Sequence, residues 1–141
     1  MANLVILDTG PLVAVLDRTD KFHPWAIDEL SRVTSPVITC EPVLSEASYL
    51  LKDIDPGYRR ISEVIESKLV EIKFDLAVHF SGVSTLLHKY KDTPMSLAEA
   101  CLVRMSELYD RATVMTIDSD FLHYRRNGRN VIPLIYPGSK K

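Results

Sequence analysis

Short unbroken apolar runs alternate along this chain with longer segments whose apolar residues recur every three or four positions. Leu4-Val5-Ile6-Leu7 is the first such run, the pattern of a strand covered on both faces. Val37–Thr39, Leu69–Ile72, Ala112–Ile117 and Val131–Ile135 repeat it. Between them lie segments with helical spacing: Leu12–Leu16, Pro24–Val33, Glu41–Lys52, a segment from Asp55-Pro56 to about Ser67, Asp75–Tyr90 and Ser96–Leu108. In the fourth of these, Asp55 is expected as the cap and Pro56 in the first turn. Leu122–Asn130 reads as a basic, turn-rich connection and Pro137–Lys141 as a tail. Strands that alternate with helices throughout predict a mainly parallel sheet of about five strands with helices on both faces. The fold class expected is therefore α/β, a three-layer α/β/α sandwich.

Composition narrows the picture. With 141 residues, 46% of them hydrophobic, the chain is expected to form one domain spanning 1–141 with a proper core. The formal net charge is −2, which gives no overall pull toward nucleic acid. A polyanion would have to be held by a local basic patch or by bound cations. Cys40 and Cys101 fall in apolar surroundings without metal-type spacing and read as buried thiols in a reducing compartment. The first apolar run is too short for a signal peptide and contains Asp8, and no run approaches a membrane span. A cytoplasmic protein that does not enter membranes is expected.

Four acidic residues stand where local structure alone gives them little reason to gather. Asp8 and Asp118 each follow an apolar strand, so both should emerge on one edge of a parallel sheet, where such sheets place their ligands. Glu46 borders the stripe of Val43, Ala47 and Leu50, an awkward place for a charge unless a lysine or arginine pairs with it. Glu99 sits in the first turn of the Ser96 helix. Each has a plainer reading as well. Asp8 and Asp118 are good helix caps, and Ser96-Leu97-Ala98-Glu99 is a capping box. Asp120 could cap the turn at Phe121, and Asp92 reads as a loop acid ahead of a proline. Carboxylates drawn together from distant parts of a chain repel unless a cation neutralises them. An oxygen-only set, with no nearby His or Cys, suits Mg²⁺ or Mn²⁺ rather than Zn²⁺.

These residues carry a resemblance. The strand ending in Asp8-Thr9-Gly10-Pro11-Leu12, then Ser45-Glu46, then Asp92-Thr93-Pro94-Met95-Ser96-Leu97-Ala98-Glu99-Ala100, then Thr116-Ile117-Asp118-Ser119-Asp120-Phe121, resemble the motifs of the PIN-domain nucleases. Within that family they are most similar to the VapC-like toxins of toxin–antitoxin operons. The resemblance covers essentially the whole chain, with the motifs in the family's order. It implies a PIN-like fold, Mg²⁺- or Mn²⁺-dependent RNA cleavage, a homodimer and a small cognate antitoxin. It also implies an acidic site of Asp8, Glu46, Glu99 and Asp118, with Asp8, Glu99 and Asp118 on the metal. The family more often has Asp where this chain has Glu99, whose longer side chain still reaches a metal. Thr9 and Thr116 are candidates to fix carboxylate rotamers, with Asp92 and Asp120 as further neighbours. Arg125, Arg126 and Arg129 follow closely on Asp118 and are candidate RNA-phosphate contacts, as are Lys89 and Lys91. Tyr49, Tyr124 and Trp25 could stack on bases or belong to ordinary packing.

Rival readings fit less well. A Mg²⁺-binding phosphoacceptor receiver domain is also doubly wound, but needs a lone Asp after its third strand and a Lys after its fifth. Here those strands lead into Lys73-Phe74-Asp75 and Tyr136-Pro137. A haloacid-dehalogenase-type phosphatase needs Asp-x-Asp where this chain has Asp8-Thr9-Gly10. A catalytically impaired PIN-fold RNA-binding module shares the fold, and metal-dependent cleavage separates it from a nuclease.

Overall fold

A computed structural model describes residues 3–139. The elements in order are β1 (Leu4–Leu7), α1 (Thr9–Leu16), α2 (His23–Ser31), β2 (Val37–Thr39), α3 (Glu41–Leu50), α4 (Gly57–Glu66) and β3 (Glu71–Ile72). They continue with α5 (Leu76–Lys89), α6 (Leu97–Leu108), β4 (Ala112–Met115), a 3-10 turn at Ser119–Leu122, β5 (Arg125–Arg126), β6 (Asn130–Val131), β7 (Leu134–Ile135) and a 3-10 turn at Pro137–Ser139.

Five strands form one parallel sheet in the order β3-β2-β1-β4-β7. β1 is its centre, pairing Ile6 with Ile38 on one side and Leu7 with Met115 on the other. That position explains its composition, since Ile6 and Leu7 are wholly buried and have no solvent face to offer. Connections β1 to β2 to β3 step one way and β3 to β4 to β7 step back. Right-handed crossovers then put α1–α4 on one face and α5 and α6 on the other. The packing follows this division, with α1 against α2, α3 and α4 and α5 along α6, except that α3 also meets α6. The chain reverses its direction of travel between β1 and β4, the switch point where open α/β sheets bind ligands at their carboxyl ends.

Most expected elements are present, and the differences have local causes. The helix expected from Leu12 begins three residues earlier, at Thr9, because Asp8 caps it through the Thr9 N–H at 2.7 Å. At the start of α4, Asp55 does not serve as the cap; Pro56 occupies that position and no side chain caps the helix. The expected last strand is divided. Asn130–Val131 turns back antiparallel on Arg125–Arg126, while Leu134–Ile135 joins the main sheet. The tight reversal comes from Asn127 and Gly128, whose φ angles of 53° and 90° lie in the left-handed region that these residue types tolerate. Of the expected tail, Pro137–Ser139 forms a turn and residues 140–141 lie outside the described residues. Cys40 and Cys101 are free and buried. Leu16 is buried and Trp25 packs against the core, edge-on to Phe22. Among the described residues no helix is long and apolar enough to cross a membrane.

Candidate active site

The carboxyl edge of the sheet, on either side of the β1–β4 switch point, gathers the acidic residues. Asp8 follows β1 without a break, its N–H donating to the Met115 carbonyl of the neighbouring strand at 3.0 Å. It is 6% exposed, so both carboxylate oxygens depend on protein donors. The Thr9 N–H donates to Oδ1 at 2.7 Å and the Thr116 hydroxyl to Oδ2 at 2.7 Å. Thr116, fully buried just past β4, also accepts the Asp118 N–H on its hydroxyl oxygen at 3.0 Å. One hydroxyl thus sets the position of Asp8 and of Asp118. The Asp118 carboxylate in turn accepts the Asp120 N–H at 2.9 Å and caps the 3-10 turn. Gly10 is needed for this convergence: a Cβ there would lie 2.5 Å from Cγ1 of Ile117, the residue just before Asp118.

Glu99 approaches from the other side. The capping box is complete: Glu99 N–H donates to the Ser96 hydroxyl at 3.0 Å, and Ser96 N–H to Glu99 Oε1 at 2.8 Å. Cap and site are therefore not alternatives here. The hydrogen bonds that start α1, α6 and the 3-10 turn are the ones that aim Asp8, Glu99 and Asp118 into one space. The amino-terminal ends of α1 and α6 also favour negative charge in that space.

Glu99, Asp118 and Asp120, all half-buried, each offer a carboxylate oxygen within 4.8 Å of the others. Asp8 is not a member of this trio and is linked to it through Thr116. Asp120 takes the place in the cluster that the sequence assigns to Asp8. Electrostatics match the crowding. Burial, outweighing its two hydrogen bonds, pushes Asp8 up to about 6, and the nearby Asp118 and Glu46 add to the rise. Glu99 is pushed up to about 7 by burial and by a hydrogen bond with Asp118. The pair can share a proton when no positive charge is present. A compact oxygen-only donor set beside two carboxyls, Asp8 and Glu99, that resist ionising is what a hard divalent cation relieves, so these residues fit Mg²⁺ or Mn²⁺.

Glu46 lies at the rim. It is exposed, as is Leu50, so it bears no burial penalty and needs no cationic partner. The Thr9 hydroxyl donates to its Oε1 at 2.9 Å and fixes it above the start of α1. Asp92 is exposed in the loop ahead of α6.

The basic residues divide. Arg126 donates to the Ser106 and Asp110 carbonyls at 3.1 and 3.2 Å, which ties its guanidinium to the carboxyl end of α6. Arg125 donates to the Leu122 and Tyr124 carbonyls. Lys89 reaches the Gly128 carbonyl at 2.8 Å. Arg129 and Lys91 are exposed. Tyr49 stands 66% exposed one turn beyond Glu46, with the Lys52 ammonium 4.1 Å from its ring centre. Tyr124 is instead fully buried, and its hydroxyl reaches Glu99 Oε1 at 3.1 Å. No local pattern in the sequence announces that contact, which spans 25 residues and depends on how the β5–β6 ribbon folds back.

Comparison with known proteins places the fold. The PIN domain family model matches residues 5–127, and the chain belongs to this family. A structure of the Mycobacterium tuberculosis toxin VapC20, described as cleaving the sarcin–ricin loop, is similar with a TM-score of 0.73 and 19% identity. The match covers 82% of this chain and 91% of that one. VapBC2 from Rickettsia felis, bound to a DNA fragment of its promoter, is similar with a TM-score of 0.60 and 14% identity over 94% and 98% of the two chains. No curated protein matches the chain by sequence.

Proposed function

We propose that this chain is a metal-dependent endoribonuclease that hydrolyses RNA phosphodiester bonds, the cytoplasmic toxin of a VapBC-type pair held in check by a cognate antitoxin. The observation that carries this reading is the oxygen-only trio of Glu99, Asp118 and Asp120, joined to Asp8 through Thr116 on a PIN fold. Support for RNA as substrate comes from the similar toxin described as cleaving the sarcin–ricin loop, and support for an antitoxin from the similar VapBC complex.

In this reading Asp8, Glu99 and Asp118 hold Mg²⁺ or Mn²⁺, with Asp120 as a further oxygen donor. When bound, such a cation lowers the pKa of water and neutralises charge that develops on the phosphate. Thr116 and Thr9 hold the carboxylates in their binding rotamers. Glu46, solvated and fixed by Thr9, accepts a hydrogen bond from the attacking water and orients it. Arg129 and Lys91, whose side chains are exposed, contact RNA phosphates. Arg125 adds charge beside them, whereas Arg126 is committed to α6. Two such chains form the working homodimer.

The test is cleavage of a pool of structured RNAs by purified protein with Mg²⁺, Mn²⁺ or EDTA, beside Asp8→Asn. Cutting is expected only with the cation, and Asp8→Asn is expected to reduce it on the order of a hundredfold or more, as loss of a metal-site group does. Cutting that survives both EDTA and Asp8→Asn overturns the reading. A folded, antitoxin-free protein that binds RNA but cuts none with either cation is the impaired binding module instead.

A further inference from the structure

We infer that Tyr124 is a positioning residue of the acidic pocket, acting through Glu99. The inference rests on the pocket being a cation site. The Tyr124 ring is wholly buried, held edge-on by Tyr90 and Phe121 with ring centres 5.1 Å away in each case. Such packing leaves the ring no freedom to turn, so the hydroxyl is delivered to a fixed point. There its one proton is shared between the Pro94 carbonyl at 2.8 Å and Glu99 Oε1 at 3.1 Å.

Glu99 Oε1 already accepts the Ser96 N–H. With two donors converging on one oxygen, rotation that would exchange the two carboxylate oxygens is blocked. The face that Glu99 turns to Asp118 and Asp120 is then settled before any cation arrives. The Tyr124 N–H also donates to the Asp120 carbonyl at 3.2 Å. Tyr124 therefore closes a ring of contacts: its backbone holds the acidic turn, its hydroxyl holds Glu99, and Glu99 meets Asp118 and Asp120. The Pro94 contact adds the loop that delivers α6. A side chain needed only to fill the core would serve as well as phenylalanine. A hydroxyl placed between a loop carbonyl and a carboxylate of the cluster points to alignment of that carboxylate.

Tyr124→Phe keeps the ring and removes the hydroxyl. Calorimetric titration with Mn²⁺ alone is expected to show a dissociation constant about threefold to tenfold higher than in the unaltered protein, the effect of one lost hydrogen bond of ordinary strength. In a Glu99→Gln background the same change is expected to add no further loss, an interaction that a general loosening of the core would not produce. An unchanged Mn²⁺ constant in Tyr124→Phe, with binding lost in Asp118→Asn, overturns the positioning role and leaves the cation site standing. Mn²⁺ binding unaffected by Asp118→Asn overturns the cation site itself. The unaltered protein gives a check that no folding defect can obscure: with tyrosine labelled at its ring carbons, the Tyr124 Cζ resonance is expected to shift on addition of Mg²⁺. A Tyr124 resonance indifferent to Mg²⁺, in a sample where other pocket resonances respond, overturns the inference.

Discussion

Asp8 is stable in its place only through the bonds that surround it. Two donors at 2.7 Å compensate part of its loss of water, yet burial still wins and raises it to about 6. Glu99 rises to about 7 for the same leading reason. Both groups are raised above their unfolded values of 3.8 and 4.5, so over that window the folded chain holds protons that the unfolded chain releases. The sign follows directly: their contribution to stability is fullest below the unfolded values and is lost as pH rises through the folded ones. For Asp8 the swing is on the order of 3 kcal/mol. Urea denaturation in EDTA should therefore show stability from these sites falling as pH rises from about 4 to about 7, and Asp8→Asn should flatten that fall. Equal slopes for the two proteins would show that Asp8 does not titrate as its burial requires.

At the level of elements, α6 is held at both ends by side chains that the sequence offers as site candidates, one of which belongs to the acidic pocket and one of which does not. Its amino end carries the capping box with Glu99, and its carboxyl end receives the Arg126 guanidinium on the Ser106 and Asp110 carbonyls. Cationic donors on the last carbonyls of a helix stabilise it by satisfying orphan acceptors and by opposing the helix dipole. Arg126→Ala is expected to cost about 1–2 kcal/mol of stability, and to leave RNA affinity unchanged. Arg129→Ala is expected to do the reverse, weakening RNA binding and its salt dependence with no loss of stability. Denaturation and RNA titration at several salt concentrations check both.

The contrast shows which features the chain's pattern could disclose. Apolar runs located the first, second and fourth strands because a buried parallel strand has little freedom in composition. The Ser96 capping box was legible because a cap is a contact between near neighbours. Leu122–Asn130 reads only as a turn-rich connection, because the short pairs that flank Asn127-Gly128 lack the apolar alternation that identifies a hairpin. The carboxylate set was legible as a set, and its inner arrangement was not. Asp120 rather than Asp8 completes the close trio, and Asp8 joins it through Thr116, by a bond between residues 108 apart. Glu46 falls on an apolar stripe by periodicity, yet α3 turns that stretch of its surface, with Leu50, to solvent.

At the scale of the whole molecule, the sheet order places its reversal of direction between its two most central strands. Asp8, at the end of β1, and Asp118, three residues beyond β4 and tied to the same Thr116 hydroxyl, then lie close enough at the switch point to repel. The acids cannot relax apart, so their repulsion is carried by the fold until a cation or a shared proton relieves it. A net charge of −2 gives no overall pull on a polyanion, and in the proposed function the cation that relieves the pocket would also meet the phosphate. Binding that favours the folded state alone adds stability by mass action, about 2.7 kcal/mol at a hundred times the dissociation constant. For a chain of this size that corresponds to a rise in Tm on the order of 8 °C. Thermal denaturation near pH 7.5 is therefore expected to move upward with Mg²⁺ or Mn²⁺ and return with EDTA. Asp118→Asn should begin higher than the unaltered protein in EDTA, since one repulsive charge is gone, and should gain little from the cation. A cation response that survives Asp118→Asn would mean that the ion binds elsewhere and that the acidic edge is stabilised by proton sharing alone.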